Sequence, residues 1–168
     1  MSAVLVMIVL PGLLALAAGW DLVSYTIPNR LSFALIAAFL AFVALSGLPL
    51  ALLGGHLAAG AVALAAGFCL FAAGYIGGGD AKLFAAACLW FGFTDLFSYT
   101  LVAALFGGVL TLSILMVRRL PLPAGLSSQG WLVRLHDGAS GIPYGVALAA
   151  GALFLLPQAE IFRMVSHA

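Results

Sequence analysis

The chain has 168 residues, of which only six are Lys or Arg and five are Asp or Glu, so its formal net charge is +1. Apolar residues make up 65% of the sequence and charged residues only 7%. A soluble domain carries about 25% charged residues. The composition therefore excludes a soluble globular protein, a disordered chain and a basic nucleic-acid-binding protein, and indicates that lipid is the main solvent.

The apolar stretches are long enough to cross a bilayer about 30 Å thick, which takes roughly 20 helical residues. Strands are not expected, because the apolar residues do not alternate with polar ones. The uncharged stretch 31–79 is too long for one span, and turn signals at 46–49 and 54–56 favour dividing it. The sequence thus predicts an all-α polytopic membrane protein with a single domain over residues 1–168. The six predicted spans are about 3–20, 31–46, 50–75, 81–94, 96–117 and 142–157.

The basic residues predict how these spans are oriented. Six spans put both termini on one side of the membrane, and loops one, three and five on the other. Those three loops contain five of the six basic residues: Arg30, Lys82, Arg118, Arg119 and Arg134. The positive-inside rule therefore predicts cytoplasmic loops and non-cytoplasmic termini. In the long loop, about 118–141, residues 131–135 form either an interfacial helix or part of a solvated loop.

Small residues repeat every seven positions along the third predicted helix, at Gly60, Gly67 and Gly74. Such a stripe lets a second backbone approach closely, so we expect this helix to lie centrally in the bundle. His56 precedes the stripe, and we expect it in an outer loop, on the face opposite to Asp21 and Asp80.

Ionisable side chains near lipid are costly, so each needs an explanation. Most lie in predicted loops or at span ends, where we expect solvated polar groups: Asp95, His136, Asp137, Glu160 and His167. Asp21 differs, because it follows the C-terminal end of a span, where a carboxylate opposes the helix dipole. Asp80 follows three glycines and is either a helix N-cap or a functional group.

Both aspartates lie in unusual segments. The first, from Asp21 to Asn29, is D-L-V-S-Y-T-I-P-N, whose last two residues end one helix and cap the next. The second, from Gly77 to Lys82, is G-G-G-D-A-K. Non-helical backbone at membrane depth is tolerated only where protein buries it or a wet cavity meets it. The span after Asp80 covers only about 21 Å, so either Asp80 lies below the headgroups or its helix continues beyond Asp95.

These segments resemble the type IV prepilin peptidase family of GxGD aspartyl peptidases. The resemblance rests on D-x5-I-P-N at Asp21, G-x-G-D-x-K at Gly77–Lys82, and G-I-P-Y-G-V-A at 141–147. It implies a membrane-embedded endopeptidase that removes the short basic leader of prepilins, with Asp21 and Asp80 as the catalytic pair. The chain is most similar to the short members that serve Flp (Tad-type) pili.

The longer members of that family carry a zinc-binding insertion with two C-x-x-C pairs and also N-methylate the new amino terminus. This chain has only Cys69 and Cys88, 19 positions apart. The cysteine pattern therefore predicts no zinc site, and it leaves the methyltransferase activity in doubt without touching the peptidase activity.

The resemblance also implies a substrate cleft around the two aspartates, formed by the remaining motif residues: Ile27, Pro28, Asn29, Gly77, Gly78, Gly79, Lys82, Pro143 and Tyr144. Several of these have a structural alternative. Pro28 and Asn29 either shape the cleft or form a simple turn. Lys82 is either an interfacial anchor or a catalytic group, and Pro143 and Tyr144 either start the last helix or contact substrate.

The implied chemistry is that of an aspartyl protease without a cofactor or metal. Two carboxylates in a low-dielectric site cannot both ionise easily, so they share one proton, and which of them holds it is open. The ionised one activates a water that attacks the scissile carbonyl, and the protonated one stabilises the oxyanion. The implied location is a bacterial inner membrane with the site facing the cytoplasm. The implied partners are the prepilin and the lipid bilayer; the oligomeric state is open.

Two other classes of function also fit aspartates in a membrane. A small ion-coupled transporter uses broken helices and intramembrane carboxylates, and a non-enzymatic scaffold would make both aspartates replaceable. Convergence of Asp21 and Asp80 on one site favours a protease, whereas carboxylates along a path between the two faces favour a transporter. No H-E-x-x-H or G-x-S-x-G segment is present, so a zinc or serine protease is not predicted.

Overall fold

The computed structural model describes residues 1–166, apart from the side chain of Ala124. Of the residues assigned above, His167 lies outside this range. Within it the chain is helical and has no strand, which confirms the predicted fold class. The α-helices of this range are α1 (Ser2–Ser24, with a π-helical turn at Leu5–Val9), α2 (Asn29–Ser46), α3 (Leu50–Ala72), α4 (Gly78–Val117), α5 (Gly130–His136), α6 (Tyr144–Leu155) and α7 (Glu160–Ser166).

Four helices of the described chain, α1 to α4, are long and apolar enough to cross a membrane. Helices α6 and α7 meet at 47° across the 3-10 turn Leu156–Gln158, and together they make one further candidate span. The six-span count and the orientation of the termini stay predictions. Residues 130–136 form a helix. Of the two forms predicted for residues 131–135, a helix or a loop, the helix is therefore the one observed.

The 40 residues of α4 are two helices joined at Gly92, where φ is 69° and ψ is −178°. This conformation is open to glycine and rare for residues with a side chain. The break divides α4 into the parts 78–91 and 93–117. The sequence predicted a boundary between two spans at Asp95, but the break lies before that residue. It is the backbone conformation of Gly92, and not a charged side chain, that interrupts the helix.

Helix α4 lies at the centre of the bundle and contacts α2, α3, α5, α6 and α7. The prediction that the third helix is central is therefore wrong: α3 packs mainly along α4. The small residues do allow the close approach, since a Cβ at Gly67 would lie 3.1 Å from the Cα of Ala81, and one at Gly60 would lie 3.1 Å from Leu89 Cδ1. Gly74 lies beyond the end of α3 and takes no part.

The break at Gly92 is packed by a histidine and by aromatic rings. His56 is buried in α3, and the prediction of an outer loop is wrong, because the two glycines before it do not interrupt the helix. Its Nδ1 lies 2.9 Å from the carbonyl oxygen of Leu89. Its ring covers Gly92, and the rings of Phe39 and Trp90 pack edge to face beside it, 5.6 Å apart. The interruption of α4 is thus closed from solvent.

Candidate active site

Three helix ends meet at one end of the bundle, and each brings a polar group. Asp21 lies in the last turn of α1, Asp80 in the first turn of α4, and the N–H of Gly145 in the first turn of α6. Asp21 and Asp80 both line a cavity of about 360 Å³, which we call the polar cleft. The residues that line the polar cleft are Asp21, Tyr25, Thr26, Ile27, Asn29, Gly77, Gly78, Gly79, Asp80 and Lys82.

Asp21 is buried, with 4% of its surface exposed, and it lies inside α1 because that helix continues to Ser24, past the predicted end at residue 20. Its Oδ2 accepts a hydrogen bond from the Gly145 N–H at 2.7 Å. That N–H is one of the first four of α6, which have no partner inside their own helix, and it lies at the positive end of the helix dipole. The unfavourable position at the end of α1 is therefore offset by the start of α6.

Gly145 has no room for a side chain. A Cβ there would lie 2.7 Å from Ile27 Cδ1 and 2.8 Å from Asp21 Oδ2, which is closer than real Cβ contacts come. Pro143 is buried at the N-cap position of α6, and Tyr144 is the first residue of that helix. The structural alternative for these two residues is thus observed: they start the last long helix and bring Gly145 against Asp21.

Asp80 is half-buried, and its Oδ2 accepts the Gly77 N–H at 3.1 Å. It therefore caps α4 from the third helical position, while Asp80 lines the polar cleft together with Asp21. Gly79 lets α4 approach the first segment, since a Cβ there would lie 3.1 Å from Ile27 Cβ. The capping interpretation and a role in the cleft are thus compatible.

A side-chain bond joins the two motif segments at the rim of the cleft. The Nζ of Lys82 donates to Asn29 Oδ1 at 3.0 Å, and both side chains are exposed. Pro28 occupies the N-cap position of α2 and does not line the cleft. Lys82 thus links α4 to α2, and both Lys82 and Asn29 line the cleft.

A second cavity, which we call the apolar cavity, adjoins the polar cleft at Asp80, and Asp80 lines both. Its volume is about 710 Å³, and Tyr144 lies in its wall, with the hydroxyl 3.4 Å from Thr111 Oγ1. Its other lining residues come from α3, α4 and α6 and the segment before α4: Val62, Ala63, Ala66, Leu70, Ile76, Phe84, Leu96, Thr100, Ala103, Ala104, Gly107, Gly108, Leu112, Ala147 and Leu148.

Two further aspartates have structural partners and do not line the polar cleft. Asp95 Oδ2 accepts the Glu160 N–H at 2.8 Å and so caps α7. Asp137 accepts bonds from the Ala139 N–H and the Ser140 hydroxyl. Within residues 1–166, no three His, Cys, Asp or Glu side chains lie close enough to hold a metal ion.

Gly145 is the residue that sequence reasoning missed. It lies inside the third motif segment, directly after Pro143 and Tyr144, where a proline starts a helix and the next N–H groups are unpaired. That signal identifies a hydrogen-bond donor, but it does not say that Asp21, 124 positions earlier, is the acceptor.

Residues 8–112 match the model of the type IV leader peptidase family. The matched region is more than half of the chain and contains both Asp21 and Asp80, while Gly145 lies beyond it. No curated protein and no solved structure matches the chain.

Proposed function

Because the chain belongs to the type IV leader peptidase family, we propose that it is a membrane-embedded aspartyl endopeptidase whose catalytic pair is Asp21 and Asp80. Membership of the family makes it a protease of prepilin leaders. The observation that carries the finer proposal is the convergence of both carboxylates on one polar cleft. A path between two faces, which a transporter needs, would separate them, and replaceable carboxylates in a scaffold would not need to converge.

In the proposed reaction the two carboxyl groups share one proton. The ionised carboxylate removes a proton from a water as that water attacks the scissile carbonyl carbon. The protonated one donates a hydrogen bond to the carbonyl oxygen as it becomes an oxyanion. When the tetrahedral intermediate collapses, the C–N bond breaks and the leaving amine takes a proton from the carboxyl pair. The Gly145 N–H orients Asp21 throughout by its hydrogen bond to Oδ2.

The two adjoining cavities support a substrate with two chemically different halves. A prepilin has a polar leader followed by an apolar helix, and the scissile bond lies between them. The polar cleft suits the extended polar part, because the glycines at 77–79 let a second backbone approach. The apolar cavity suits side chains of the helix, and Asp80 lies where the two cavities meet. The bond to be cut would thus lie against the carboxylates.

The distribution of charge supports a cytoplasmic site. Asp21 and Asp80 lie at the same end of the bundle as most of the basic residues: Lys82 bonds Asn29, Arg134 bonds the Val23 carbonyl, and Arg118 follows α4. Basic residues at one end of a helical bundle indicate the cytoplasmic face. A site on this face meets the leader before the prepilin is exported.

The sequence supports a substrate of the Flp type. Cys69 and Cys88 lie in different helices and form no C-x-x-C pair, so the zinc-binding insertion of the longer family members has no counterpart among them. We therefore propose leader removal from an Flp-type prepilin in a bacterial inner membrane.

Coexpression with a prepilin tests the catalytic pair. Wild type should shorten the prepilin by its leader, whereas Asp21→Asn and Asp80→Asn should each lower the cleavage rate roughly 10³- to 10⁴-fold, as expected when a catalytic carboxylate is removed. The measurement is the ratio of full-length to shortened prepilin on an immunoblot. A prepilin without its apolar helix should be cut more slowly by wild type, because it cannot fill the apolar cavity.

Glu160→Gln is the matched control, because Glu160 is a carboxylate at the start of α7 that lines neither cavity. It should leave cleavage at the wild-type rate, and all three variants should accumulate in the membrane. Normal processing by either Asp21→Asn or Asp80→Asn would contradict the catalytic pair, and normal processing by both would favour a scaffold.

A further inference from the structure

The segment that carries Gly145 to Asp21 is held by one arginine. Arg118 directly follows α4, and its guanidinium donates three hydrogen bonds to backbone carbonyls. Nε bonds the Leu135 oxygen at 2.8 Å, and Nη2 bonds the Ser140 and Gly141 oxygens at 2.9 Å each. The side chain is half-buried, so water competes only in part for these bonds.

The position of the three carbonyls makes these bonds important for the cleft. Leu135 lies in the last turn of α5, where carbonyl groups lack partners inside the helix. Ser140 and Gly141 lie shortly before Pro143, whose ring restricts φ and limits how the chain can turn into α6. Gly141 is only four positions before Gly145, so a shift of its carbonyl is passed on to the Gly145 N–H.

Helix α5, which also contributes a carbonyl to Arg118, is itself attached to the polar cleft. The guanidinium of Arg134 lies over the ring of Tyr25, 5.9 Å from its centroid, and Nη1 bonds the Val23 carbonyl oxygen at 3.4 Å. Tyr25 lines the cleft, and Val23 is in the last turn of α1 beside Asp21. Arg118, which follows α4, is therefore bonded to α5, and α5 is bonded to α1. Through its other two bonds Arg118 also connects these helices to the segment before α6.

We propose that Arg118 is a positioning residue of the active site, which holds the segment 140–145 so that the Gly145 N–H stays on Asp21. The inference rests on the proposed catalytic role of Asp21. The backbone of Gly145 packs tightly against Ile27 and Asp21, so that a side chain at this position would not fit. Release of the segment would move the N–H away from the carboxylate oxygen that it now bonds.

The geometry also requires an arginine. A guanidinium presents five N–H donors in a plane, so one group reaches three carbonyls in a fixed arrangement, whereas a lysine ammonium is a compact charge without that fork. The Arg118→Lys variant would keep the charge for membrane topology, but its ammonium group would not reach all three acceptors. Charge and positioning can therefore be separated experimentally.

The experiment compares Arg118→Gln and Arg118→Lys with Arg119→Gln in purified enzyme acting on a prepilin. Arg119 is the matched control: it is the next basic residue, it is exposed, and no hydrogen bond of its side chain is found within residues 1–166. We expect Arg118→Gln to lower kcat about 10- to 100-fold with KM within about twofold, as for loss of an outer positioning contact. Arg118→Lys should lower kcat by at least about threefold, and Arg119→Gln should match wild type.

Hydrogen–deuterium exchange supplies a readout that does not depend on cleavage. The amides of residues 144–146 should exchange slowly in wild type and in Arg119→Gln, and at least about tenfold faster in Arg118→Gln, because the Gly145 N–H loses its acceptor. Wild-type kcat together with wild-type exchange in Arg118→Gln would overturn the proposal. If that variant fails to accumulate, Arg118→Lys decides: unchanged kcat and exchange there would overturn it equally.

A failure of the proposed function gives a different result. In that case wild type itself would leave the prepilin full length, while the exchange measurement would still report whether Arg118 holds residues 144–146. A fall in kcat with unchanged exchange would also contradict the proposal, because Arg118 would then act by some route other than the Gly145 segment.

Discussion

The first part of α4 has glycine at each end, and the two ends are used in opposite ways. At its start, Gly77 is extended, Gly78 and Gly79 form the first turn, and these glycines line the polar cleft together with Asp80. At its end, Gly92 breaks the helix, but the ring of His56 fills the space that the missing side chain leaves. One end is open to a ligand and the other is closed by packing.

This difference shows that glycine, by itself, does not indicate a functional site in a membrane helix. Ionisable residues lie at both ends of this part of α4, but they have different surroundings. The imidazole of His56 bonds a carbonyl of the same interruption and is buried, as a structural group is. The carboxylates of Asp21 and Asp80 border a cavity, and a buried carboxylate beside another needs a further purpose. The environment of the ionisable group is what separates the two.

The largest effect is expected from Gly145→Ala, which tests the polar cleft at the start of α4. The added methyl group would lie within 3 Å of both Ile27 and Asp21, so α6 must move back and the hydrogen bond to Asp21 must lengthen or break. We expect cleavage to slow about 10²- to 10³-fold, comparable with the loss of one oriented hydrogen-bond donor in an active site. The measurement is the rate of prepilin cleavage per folded enzyme.

Gly138→Ala is the matched control for that prediction. Gly138 precedes the same segment, and a Cβ there would meet nothing within 4 Å. It should leave cleavage unchanged. Equal rates for Gly145→Ala and Gly138→Ala would mean that the Gly145 contact has no part in the reaction.

At the Gly92 end, which packing closes, we expect a substitution to lower the free energy of unfolding. Gly92→Ala tests this expectation. Alanine at φ 69° is strained by about 1–3 kcal/mol, and its methyl group would lie 3.0 Å from the His56 ring. We expect the free energy of unfolding to fall by about 3 kcal/mol, measured by denaturant titration in detergent. Gly108→Ala, in the same helix but with nothing within 4 Å, should instead raise it by about 0.5–1 kcal/mol.

A smaller effect of the same kind is expected from His56→Leu. Leucine fills much of the space but leaves the Leu89 carbonyl oxygen without its partner, which costs about 1–2 kcal/mol. His56→Gln keeps a donor and should recover part of this loss. Thermal unfolding gives the stability, and cleavage per folded enzyme should stay at the wild-type value. A fall in that rate would show that the two ends of the helix are coupled and would break the comparison.

The fold class and the motif segments could be read from the sequence because they depend on local properties. Charge scarcity and long apolar stretches predict helices in lipid, and the motifs at Asp21 and Gly77–Lys82 predict where the two carboxylates occur. The family resemblance predicts that they form a pair. Their meeting in one cleft follows that expectation, while their catalytic role remains to be measured.

Tertiary contacts explain what the sequence reasoning did not find. His56 was expected in a loop because glycines precede it, but packing against α4 keeps those residues helical. The break in α4 was expected at Asp95, which instead caps α7 from a distant part of the chain. Gly145 and Arg118 act on residues far away in sequence, and no local pattern specifies their partners.

The bond between Gly145 and Asp21 has a consequence for the biosynthesis of the protein. Its two partners lie 124 positions apart, at the end of the first long helix and the start of the last one. During translation, Asp21 and Asp80 are made before residue 145. The nascent chain therefore holds both carboxylates without the donor that orients Asp21, and the cleft is complete only after the final long helix has entered the bundle.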